Sequence, residues 1–417
     1  MSKHILIVGA GFAGVMAALA ASRLRHEKSV SAEDLKITVV SPEPELVIRP
    51  RLYEPEPDKM TAPLGDLFSA TEINFIAGTV EKIDVAGSQV AIIDGNGRSV
   101  LQSYDRLVLA AGSRGFQPPI PGLEEYGFAS NHLEEAVILD QHLHRLADHP
   151  ASPARDTVVV GGAGFTGLEV ATELETRLRG ILGSKTRPRI IIVDRNPHVA
   201  PAMGENPRPY IEQRLKELGI ETRLNTGIAR LDENSVTLDN GERIETATVI
   251  WSGGMRASPL TSQLEAERDQ LGRIIVEPDL RVPGHAQIFA TGDTAKAATD
   301  NEGNFSLMSC QHARRLGAFA GHNAAAELLG EPTLAYNQPA ELLGEPTLAY
   351  NQPAYVVCLD LGADAAIFTR GWTGKVEITG TDAKKVKQEI NTVWIYPPAP
   401  DRATAYENVH IARTVDF

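Results

Sequence analysis

Short apolar runs, each followed by glycines and then by a helical pattern, recur along the first three quarters of the chain. His4–Val8 reads HILIV, and Thr157–Val160 reads TVVV. Apolar, β-branched runs of this length are typical of strands buried in a parallel sheet. Alanine- and leucine-rich segments follow at 15–24 and 168–178, with the composition of helices. The repeated order of strand, glycine turn and helix predicts an α/β fold.

Both glycine turns carry the spacing G-x-G-x-x-G. The glycines are Gly9, Gly11 and Gly14 in the first turn and Gly162, Gly164 and Gly167 in the second. In a Rossmann-like unit the first glycine allows a tight turn, the second lets the backbone approach a pyrophosphate, and the third lets the helix pack on the strand. The phosphates then lie at the positive end of the helix. We assign to the same binding turns the residues Phe12, Ala13, Phe165 and Thr166.

The second strand of each unit supports a dinucleotide site. KITVVS ends at Ser41 and RIIIVD ends at Asp194, each 27 positions after the third glycine of its motif. The residue at this strand end meets the adenosine ribose, usually through a carboxylate. Asp194 fits that role, whereas in the first unit Glu43 is the carboxylate nearest to Ser41. Asp194 therefore favours NADH, and because Arg195 would tolerate a 2′-phosphate, NADPH is the alternative donor.

Composition and charge limit the classes of binding partner and the cell compartment that we expect. The chain has 42% hydrophobic and 23% charged residues, as in ordinary soluble proteins. A net charge of −14 argues against nucleic acid as a partner. Two cysteines, Cys310 and Cys358, fit a reducing compartment. No apolar run reaches transmembrane length, and the N-terminus has no signal-peptide pattern, so a cytoplasmic protein is expected.

Three further strands end in glycine or aspartate. Tyr104–Ser113 contains Ala111 and Gly112, Ile288–Asp293 reads IFATGD, and Ala247–Gly254 reads ATVIWSGG. In this order, together with the two glycine motifs, these segments resemble the flavoproteins with two dinucleotide-binding domains. The resemblance extends from Ile5 to about Gly321.

The resemblance implies that the first site binds FAD, with Asp293 at its ribityl or pyrophosphate region, and that an inserted second site binds NAD(P)H. The expected architecture is therefore two Rossmann-like domains, the FAD domain being discontinuous, plus a small C-terminal α+β region. The predicted bounds are 1–115 and 283–330 for FAD, 116–282 for NAD(P)H, 331–353 for a linker and 354–417 for the C-terminal domain.

Within that group the chain most resembles type II NADH dehydrogenases. VIWSGGMRASPL, which includes Gly253 and Gly254, is similar to a segment of that branch, and so is SCQHARRLG. IRPRLYE resembles its flavin-lining segment, with Arg51 where an apolar residue is usual. The resemblance places Gln311 beside the flavin. A second, quinone-associated glutamine would fall at Arg315, so it is missing.

The resemblance also suggests which residues take part in the chemistry. Glu169 falls where the branch has a glutamate near the nicotinamide, and His312 and Arg315 are candidates for lining the acceptor site. We therefore take Glu169, Gln311 and His312 as the catalytic candidates. Each also has a structural interpretation, which for Glu169 is a carboxylate favoured by the helix dipole. No metal-ligand spacing is found, and FAD would carry the redox chemistry.

The expected reaction passes a hydride from NADH to FAD and then electrons to a quinone or similar small acceptor. One alternative is a reductase of a redox protein, as in ferredoxin or rubredoxin reductases. Another is a redox-sensing flavoprotein similar to apoptosis-inducing factor. Flavin-dependent oxygenation or dehydrogenation in secondary metabolism is also left open, as is a homodimer.

The C-terminal third contains an identical pair of 14-residue segments, Ala326–Pro339 and Ala340–Pro353. The helix from about Gln311 is expected to end at Gly330, and the second copy to be a surface insertion. On a later helix the residues Val386, Ile390 and Val393 form an apolar stripe, while three lysines at 384, 385 and 387 point elsewhere. That helix either packs on its domain or binds the inner membrane peripherally through a basic face.

Overall fold

Two five-stranded parallel sheets with the same internal arrangement organise the chain. The computed structural model describes residues 2–336 and 355–411. Most of the duplicated segment, from 337 to 353, lies outside the described residues, so the predicted surface insertion is not described.

The strands in chain order are β1 Lys3–Val8, β2 Leu35–Ser41, β3 Glu45–Val47, β4 Thr61–Pro63, β5 Asn74–Ala77, β6 Thr79–Asp84, β7 Gln89–Ile93, β8 Ser99–Ser103, β9 Arg106–Leu109, β10 Ser113–Gly115, β11 Gly127–Phe128, β12 Thr157–Gly161, β13 Arg189–Asp194, β14 Glu221–Leu224, β15 Ile228–Asp232, β16 Ser235–Leu238, β17 Arg243–Glu245, β18 Thr248–Trp251, β19 Met255–Ala257, β20 Ile274–Ile275, β21 Ile288–Ala290, β22 Ala295–Lys296, β23 Val356–Asp360, β24 Ala366–Arg370 and β25 Lys375–Thr379.

The α-helices are α1 Phe12–Glu27, α2 Gly65–Ala70, α3 Leu123–Tyr126, α4 Leu133–Arg145, α5 Pro153–Asp156, α6 Phe165–Leu182, α7 Arg208–Glu217, α8 Cys310–Leu329, α9 Gly380–Glu389 and α10 Arg402–Asn408. Short 3₁₀ turns include Arg49–Arg51 and Gly292–Thr294, and a π-helical turn covers Ile390–Trp394.

The first sheet has the order β21-β9-β1-β2-β5, and the second has the order β11-β18-β12-β13-β14. In each, the strand before a glycine motif is central, and all neighbours run parallel. Strand β21 follows all strands of the second sheet in the sequence, yet it pairs with β9 of the first sheet. The predicted pair of Rossmann-like units, with the first one discontinuous, is therefore confirmed.

Burial on both faces explains the continuous apolar runs of the central strands. Ile5 and Ile7 belong to a core shared with α1 and α8, whereas Leu6 and Val8 face a second core on the opposite side of the sheet. Strand β12 divides its valines in the same way between two cores. A strand buried on both faces has no polar alternation, as expected for parallel sheets.

Helices α1 and α8 pack so closely that glycine is required at their contact. A Cβ atom on Gly317 would lie 2.2 Å from the carbonyl oxygen of Ala13, and one on Gly321 would lie 1.9 Å from that of Ala17. Small residues thus let the two backbones meet and bring the N-termini of both helices to one edge of the first sheet. Helix α8 ends at Gly330 in a left-handed conformation, as predicted.

The predicted domain bounds stay a prediction, but the packing favours one change. The segment after β19 contributes Leu260, Leu264, Ile274 and Val282 to the core that contains Leu6. Strand β19 itself pairs with β10 across the connection between the units. These contacts favour ending the inserted unit near residue 257 rather than at 282.

The C-terminal region contacts both units. Strands β23, β24 and β25 form an antiparallel sheet whose Leu359 and Ile367 join the core of α6, while Tyr406 and Ile411 join that of α1. The predicted small α+β region is confirmed. No helix in the described ranges combines the length and apolar character needed to cross a bilayer.

The predicted basic face of the C-terminal helix does not form. Lys384 pairs with Asp360, and Lys387 pairs with Glu169, so two of the three lysines point into the protein. The lysine that lies at the surface is Lys385, which pairs with the neighbouring Asp382. Sequence periodicity showed the apolar stripe but not that buried carboxylates face the lysines.

The apolar stripe is also interrupted. Helix α9 ends at Glu389, and the π-helical turn that follows rotates the later residues away from a regular helical position. Val386 packs against the small core of β24 and α9, and Ile390 packs against the core that contains α1. Both contacts agree with the alternative that the helix packs on the protein. Val393 is 62% exposed.

Candidate cofactor and active site

The first glycine turn has the geometry that a pyrophosphate site requires. Gly9 has a φ of +107°, and a Cβ atom on Gly14 would lie 1.8 Å from the carbonyl oxygen of Gly9. A Cβ atom on Gly11 would meet nothing within 4 Å. The first and third glycines are therefore required by the fold itself, whereas the second faces free space at the N-terminus of α1, beside Phe12 and Ala13.

The second turn repeats this geometry almost atom for atom. Gly162 has a φ of +118°, and a Cβ atom on Gly167 would lie 1.9 Å from the carbonyl oxygen of Gly162. Gly164 again has free space around its missing side chain. Phe165 and Thr166 begin helix α6 directly after it.

Both helices leave their N-terminal N–H groups free for a ligand. Neither Gly11 nor Gly164, the N-cap residues of α1 and α6, supplies a side-chain cap, and neither helix has an acidic residue in its first turn. Uncapped N–H groups and the helix dipole favour an anion at this position. The residues at both turns thus fit a dinucleotide.

The ends of β2 and β13 differ in their polar groups. Asp194 accepts hydrogen bonds from the N–H groups of Ala163, at 2.6 Å, and Asn196, at 2.7 Å. It therefore fixes the second glycine turn from the adjoining strand. Arg195 is largely exposed and lies 3.5 Å from Asp239. Ser41 is partly buried, and Glu43 is exposed.

Asp293 lies at the carboxyl edge of the first sheet and is held there by two side chains. The Ser113 hydroxyl donates to its carboxylate at 2.5 Å, and Arg49 Nη1 lies 3.7 Å from the same oxygen. Arg49 also donates to the carbonyl oxygen of Asn131 at 3.1 Å. Burial lowers the pKa of Arg49, and the Asp293 carboxylate opposes that shift.

The sequence predicted Arg51, but not Arg49, as a residue of the flavin site. Arg51 donates to both oxygens of Glu54 and, at 2.8 Å, to the hydroxyl of Tyr396. The two arginines lie in one 3₁₀ turn, Arg49–Arg51, and point to different neighbours. The segment IRPRLYE was the available signal, but it does not tell which arginine reaches Asp293.

The remaining glycines of the predicted sites line the connections between the units. Gly112 follows Ala111 with a φ of +64°, and its carbonyl oxygen accepts from the N–H of Ser258. A Cβ atom on Gly253 would lie 2.7 Å from the Trp251 ring, so only glycine fits there. Gly254, with a φ of +81°, lies beside Phe116.

The N-terminus of α8 holds the predicted Gln311 and His312. Gln311 accepts from the backbone N–H of Val356 at 3.4 Å. His312 is buried, its Nδ1 lies 3.0 Å from the Ser309 hydroxyl, and its ring stacks on Tyr355 at 5.4 Å between centroids. Burial lowers the pKa of His312 to about 4, so its ring is neutral near pH 7.

Arg315 and Cys310 of this helix, and Cys358 of β23, have roles that the sequence left open. Arg315 donates to the backbone carbonyl of Ile411 and lies over the Phe319 ring, so it contacts the C-terminal segment. Cys310 and Cys358 are free thiols. Burial raises the pKa of both, that of Cys358 to about 12, which keeps them in the thiol form.

Glu169 lies in a buried polar contact between α6 and the C-terminal region. Its carboxylate accepts from Lys387 Nζ at 2.7 Å and from the Asp360 N–H at 3.2 Å. Burial raises the pKa of Glu169, although Lys387 acts against it. Burial lowers the pKa of Lys387, but Glu169 and other neighbouring acidic groups outweigh this, so that pKa is raised as well.

More side chains extend this contact into what we call the interface cluster. Its members are buried or partly buried between α6, the turn after Arg51 and the C-terminal region: Tyr53, Glu54, Glu169, Glu173, Asp360, Lys384, Lys387 and Asn391. The Tyr53 hydroxyl donates to Asp360 at 2.7 Å, and Lys384 Nζ lies 2.6 Å from the same carboxylate. Burial and nearby carboxylates hold the pKa of Tyr53 well above its usual range.

Known proteins share this fold and much of this sequence. The pyridine nucleotide-disulphide oxidoreductase family matches residues 3–317. The NADH dehydrogenase-like protein MT1860 of Mycobacterium tuberculosis is 43% identical over 95% of this chain and 94% of its own length. The type II NADH:quinone oxidoreductase NdhA of Mycobacterium tuberculosis is 30% identical over 70% of this chain and 66% of its own length.

A solved structure extends the likeness to the whole fold. NDH2 of Plasmodium falciparum, solved in complex with NADH, has a TM-score of 0.74 and 14% identity, covering 99% of this chain and 97% of that one. The duplicated glycine turns, the two parallel sheets and the match over residues 3–317 agree with one another. The chain belongs to the pyridine nucleotide-disulphide oxidoreductase family.

Proposed function

We propose that this chain is an FAD-dependent NADH oxidoreductase that passes electrons from NADH to a quinone or similar small acceptor. FAD is assigned to the first glycine turn and NADH to the second. The names of the relatives, NADH dehydrogenase-like protein and type II NADH:quinone oxidoreductase, support this assignment. When bound, FAD accepts a hydride from NADH and passes on two electrons.

The observation that carries the proposal is the free space at the second glycine of each motif. Gly11 and Gly164 are the two motif positions where a side chain would meet no protein atom within 4 Å. Each lies at the uncapped start of a helix that follows a central strand. One chain therefore offers two equivalent phosphate sites, as an enzyme with both a flavin and a nicotinamide cofactor requires.

Around the first site, the protein's own groups position the flavin. Asp293 provides a carboxylate that Ser113 and Arg49 keep in place at the strand ends. A carboxylate fixed in this way can accept hydrogen bonds from cofactor hydroxyl groups. The N-terminus of α8 adds the positive end of a helix dipole near Gln311.

Around the second site, Asp194 and Glu169 have separate tasks. Asp194, at the end of β13, is placed to accept from the adenosine ribose while it holds the glycine turn. Because the Asp194 carboxylate would bind a free 2′-hydroxyl, NADH is the preferred donor, and the largely exposed Arg195 leaves NADPH as the alternative. Glu169, one turn into α6, is proposed to act at the nicotinamide end, kept in place by Lys387.

If the acceptor is a quinone, its solubility in membranes determines where the enzyme works. Long-chain quinones are dissolved in membranes, so the enzyme would work at the inner membrane surface from the cytoplasm. With Lys384 and Lys387 paired with carboxylates inside the protein, contact would depend on apolar residues such as the exposed Val393 rather than on a basic helix face.

A pair of substitutions tests the two cofactor assignments separately. Gly11 and Gly164 have φ values of −74° and −78°, which any residue adopts, so Gly11→Leu and Gly164→Leu should fold. We expect Gly11→Leu to purify without flavin. Gly164→Leu should retain flavin colour but lose bleaching by NADH.

Thermal unfolding of both variants, compared with the parent protein, checks that each has folded. Flavin retention by Gly11→Leu, or rapid NADH bleaching of Gly164→Leu, would contradict the assignment of the corresponding site.

A further inference from the structure

The side chain of Arg195, which follows the end of β13, lies across the adjoining strand end and meets a carboxylate there. Arg195 Nη2 lies 3.5 Å from Asp239, the residue directly after β16. A Cβ atom on Gly227 would lie 2.4 Å from Arg195 Nε and 2.6 Å from the same Asp239 oxygen. The guanidinium and the carboxylate therefore meet in a space that any other residue at position 227 would fill.

The backbone holds Asp239 in this position. Its carboxylate accepts from the N–H of Gly227 at 3.1 Å, and its own N–H donates to the Gly227 carbonyl oxygen at 2.9 Å. The preceding Thr226 donates its N–H to the carbonyl oxygen of Asp194 at 3.2 Å, which ties this segment to the end of β13. The acceptor for Arg195 is thus built into the edge of the sheet, beside the predicted ribose position.

Asp194 and Arg195 are neighbours in sequence but reach opposite sides of β13. The second sheet has β13 between β12 and β14. The Asp194 carboxylate accepts from the Ala163 N–H, on the side of β12 and the glycine turn. Arg195 reaches Gly227, which follows β14 on the other side. The group that would bind a free 2′-hydroxyl therefore faces the glycine turn, while the group that would bind a 2′-phosphate is engaged on the far side.

This arrangement disfavours a nucleotide that carries a 2′-phosphate. Such a phosphate has a charge of about −1.5 to −2, and a guanidinium is well suited to bind it. While Arg195 is paired with Asp239, the phosphate would meet the carboxylates of Asp194 and Asp239 without that guanidinium. Repulsion of the competing ligand is a common source of specificity.

We propose that Asp239 makes this chain selective for NADH over NADPH by holding Arg195 away from the 2′ position of the nucleotide. This inference rests on the proposed function, in which the second glycine turn binds NADH. Asp239 is a positioning residue that acts through Arg195, and Gly227 leaves the space in which the two side chains meet. The two side chains are 45% and 73% exposed, so their attraction is modest and NADPH stays a weaker donor rather than an excluded one.

Calorimetric titration of the FAD-loaded protein with NAD⁺ and NADP⁺ tests this role. These nucleotides carry the same 2′ groups as NADH and NADPH but no hydride, so the flavin is not reduced during the measurement. Asp239→Asn should bind NADP⁺ about tenfold more tightly, because it frees Arg195 and removes one like charge, and should bind NAD⁺ within about twofold of the parent protein. An unchanged ratio of the NADP⁺ and NAD⁺ affinities would overturn the proposal.

Two controls show whether the gain acts through Arg195. Asp232, 46% exposed, pairs with Arg243 at 3.7 Å on the same three-stranded sheet, at the end of β15 far from Gly227. Asp232→Asn makes the same change of charge and should leave the affinity ratio unchanged. The double variant Arg195→Ala, Asp239→Asn should lose the gain. An equal gain in the Asp232 variant, or a gain that persists in the double variant, would overturn the proposal.

Gly227→Ala provides a second variant in case Asp239→Asn does not fold, which thermal unfolding shows. Gly227 lies outside the left-handed region of φ, so alanine can adopt its backbone conformation. The new methyl group would displace the ends of the Arg195 and Asp239 side chains. The ratio of the NADP⁺ and NAD⁺ affinities should rise in this variant too, and an unchanged ratio would overturn the proposal.

Binding and bleaching separate this inference from the proposed function. If the protein binds NAD⁺ but NADH does not bleach its flavin, the proposed function is refuted, and the affinity ratios still decide the role of Asp239. If neither nucleotide binds to the parent protein, both this inference and the assignment of the second glycine turn are overturned.

Discussion

Removing either partner of the Glu169–Lys387 pair should cost about as much free energy of unfolding as removing both. The two side chains are 12% and 8% exposed, and their charged atoms are 2.7 Å apart. At an effective dielectric constant of about 20 their attraction is about 6 kcal/mol, which the desolvation of both groups largely offsets. Breaking such a pair leaves an uncompensated buried charge, for which a loss of about 3 kcal/mol is typical.

We therefore predict a strongly non-additive double-mutant cycle. Glu169→Gln and Lys387→Met should each lower the free energy of unfolding by about 3 kcal/mol, and the double variant should lose about the same amount as either single variant. The coupling energy would then be about 3 kcal/mol. Urea denaturation followed by circular dichroism measures all four free energies.

The chain offers a matched control for this cycle. Asp382 and Lys385 lie on the same helix as Lys387 and are 2.8 Å apart, but they are 73% and 75% exposed. Their cycle should show no measurable coupling, because solvent screens exposed pairs. Equal coupling in the two cycles would refute the argument that burial makes the Glu169–Lys387 contact important.

Three further predictions follow from other parts of the structure. Gly14→Ala should lower the free energy of unfolding by at least about 3 kcal/mol, because its Cβ would lie 1.8 Å from the carbonyl oxygen of Gly9. Equal melting temperatures of the variant and the parent protein in calorimetry would contradict this. Burial raises the pKa of Glu173 from 4.5 to about 7, so in this range the folded state holds a proton that the unfolded state releases. The free energy of unfolding should therefore fall by about 3 kcal/mol between pH 4.5 and 7. Urea denaturation across this range should show no such fall in Glu173→Gln. Asp194→Ala should weaken NADH binding by about tenfold, measured by calorimetric titration, since it removes the ribose acceptor and loosens the turn at Ala163; an unchanged affinity would rule out this role.

Local patterns made the core of the fold predictable. Strands β1, β2, β12 and β13 were located from apolar runs whose ends coincide with the observed ones to within a residue or two. The glycine spacing predicted the turns, because a positive φ and a close helix–strand contact leave no other residue type for the first and third positions. These constraints act within about 30 residues, so the sequence carries them in one window.

Contacts between distant segments could not be predicted in the same way. Lys387 and Glu169 are 218 residues apart, and no sequence pattern near either residue indicates that the two are in contact. The basic face assigned to α9 was wrong for this reason, since Lys384 also meets its carboxylate only after the C-terminal sheet has packed on α6. Helical periodicity identifies a face but not what covers it.

The candidate site shows the same limit at a finer scale. Asp293, Gln311 and Glu169 were singled out because they lie in motifs, and the structure gives each a specific partner. Arg49 lies two residues from Arg51 in one 3₁₀ turn, and only the packing of that turn decides which of the two arginines faces Asp293. Side-chain direction in a short irregular turn depends on tertiary contacts rather than on periodicity.

The central claim is that two nucleotides meet in this chain and that electrons pass from one to the other. The most direct test adds NADH to the purified protein in the absence of oxygen and follows the visible spectrum, and then adds menadione. The account predicts a yellow protein that bleaches rapidly with NADH and regains its colour with menadione. A protein that stays colourless even with added FAD, or a yellow protein that NADH does not bleach, would contradict it.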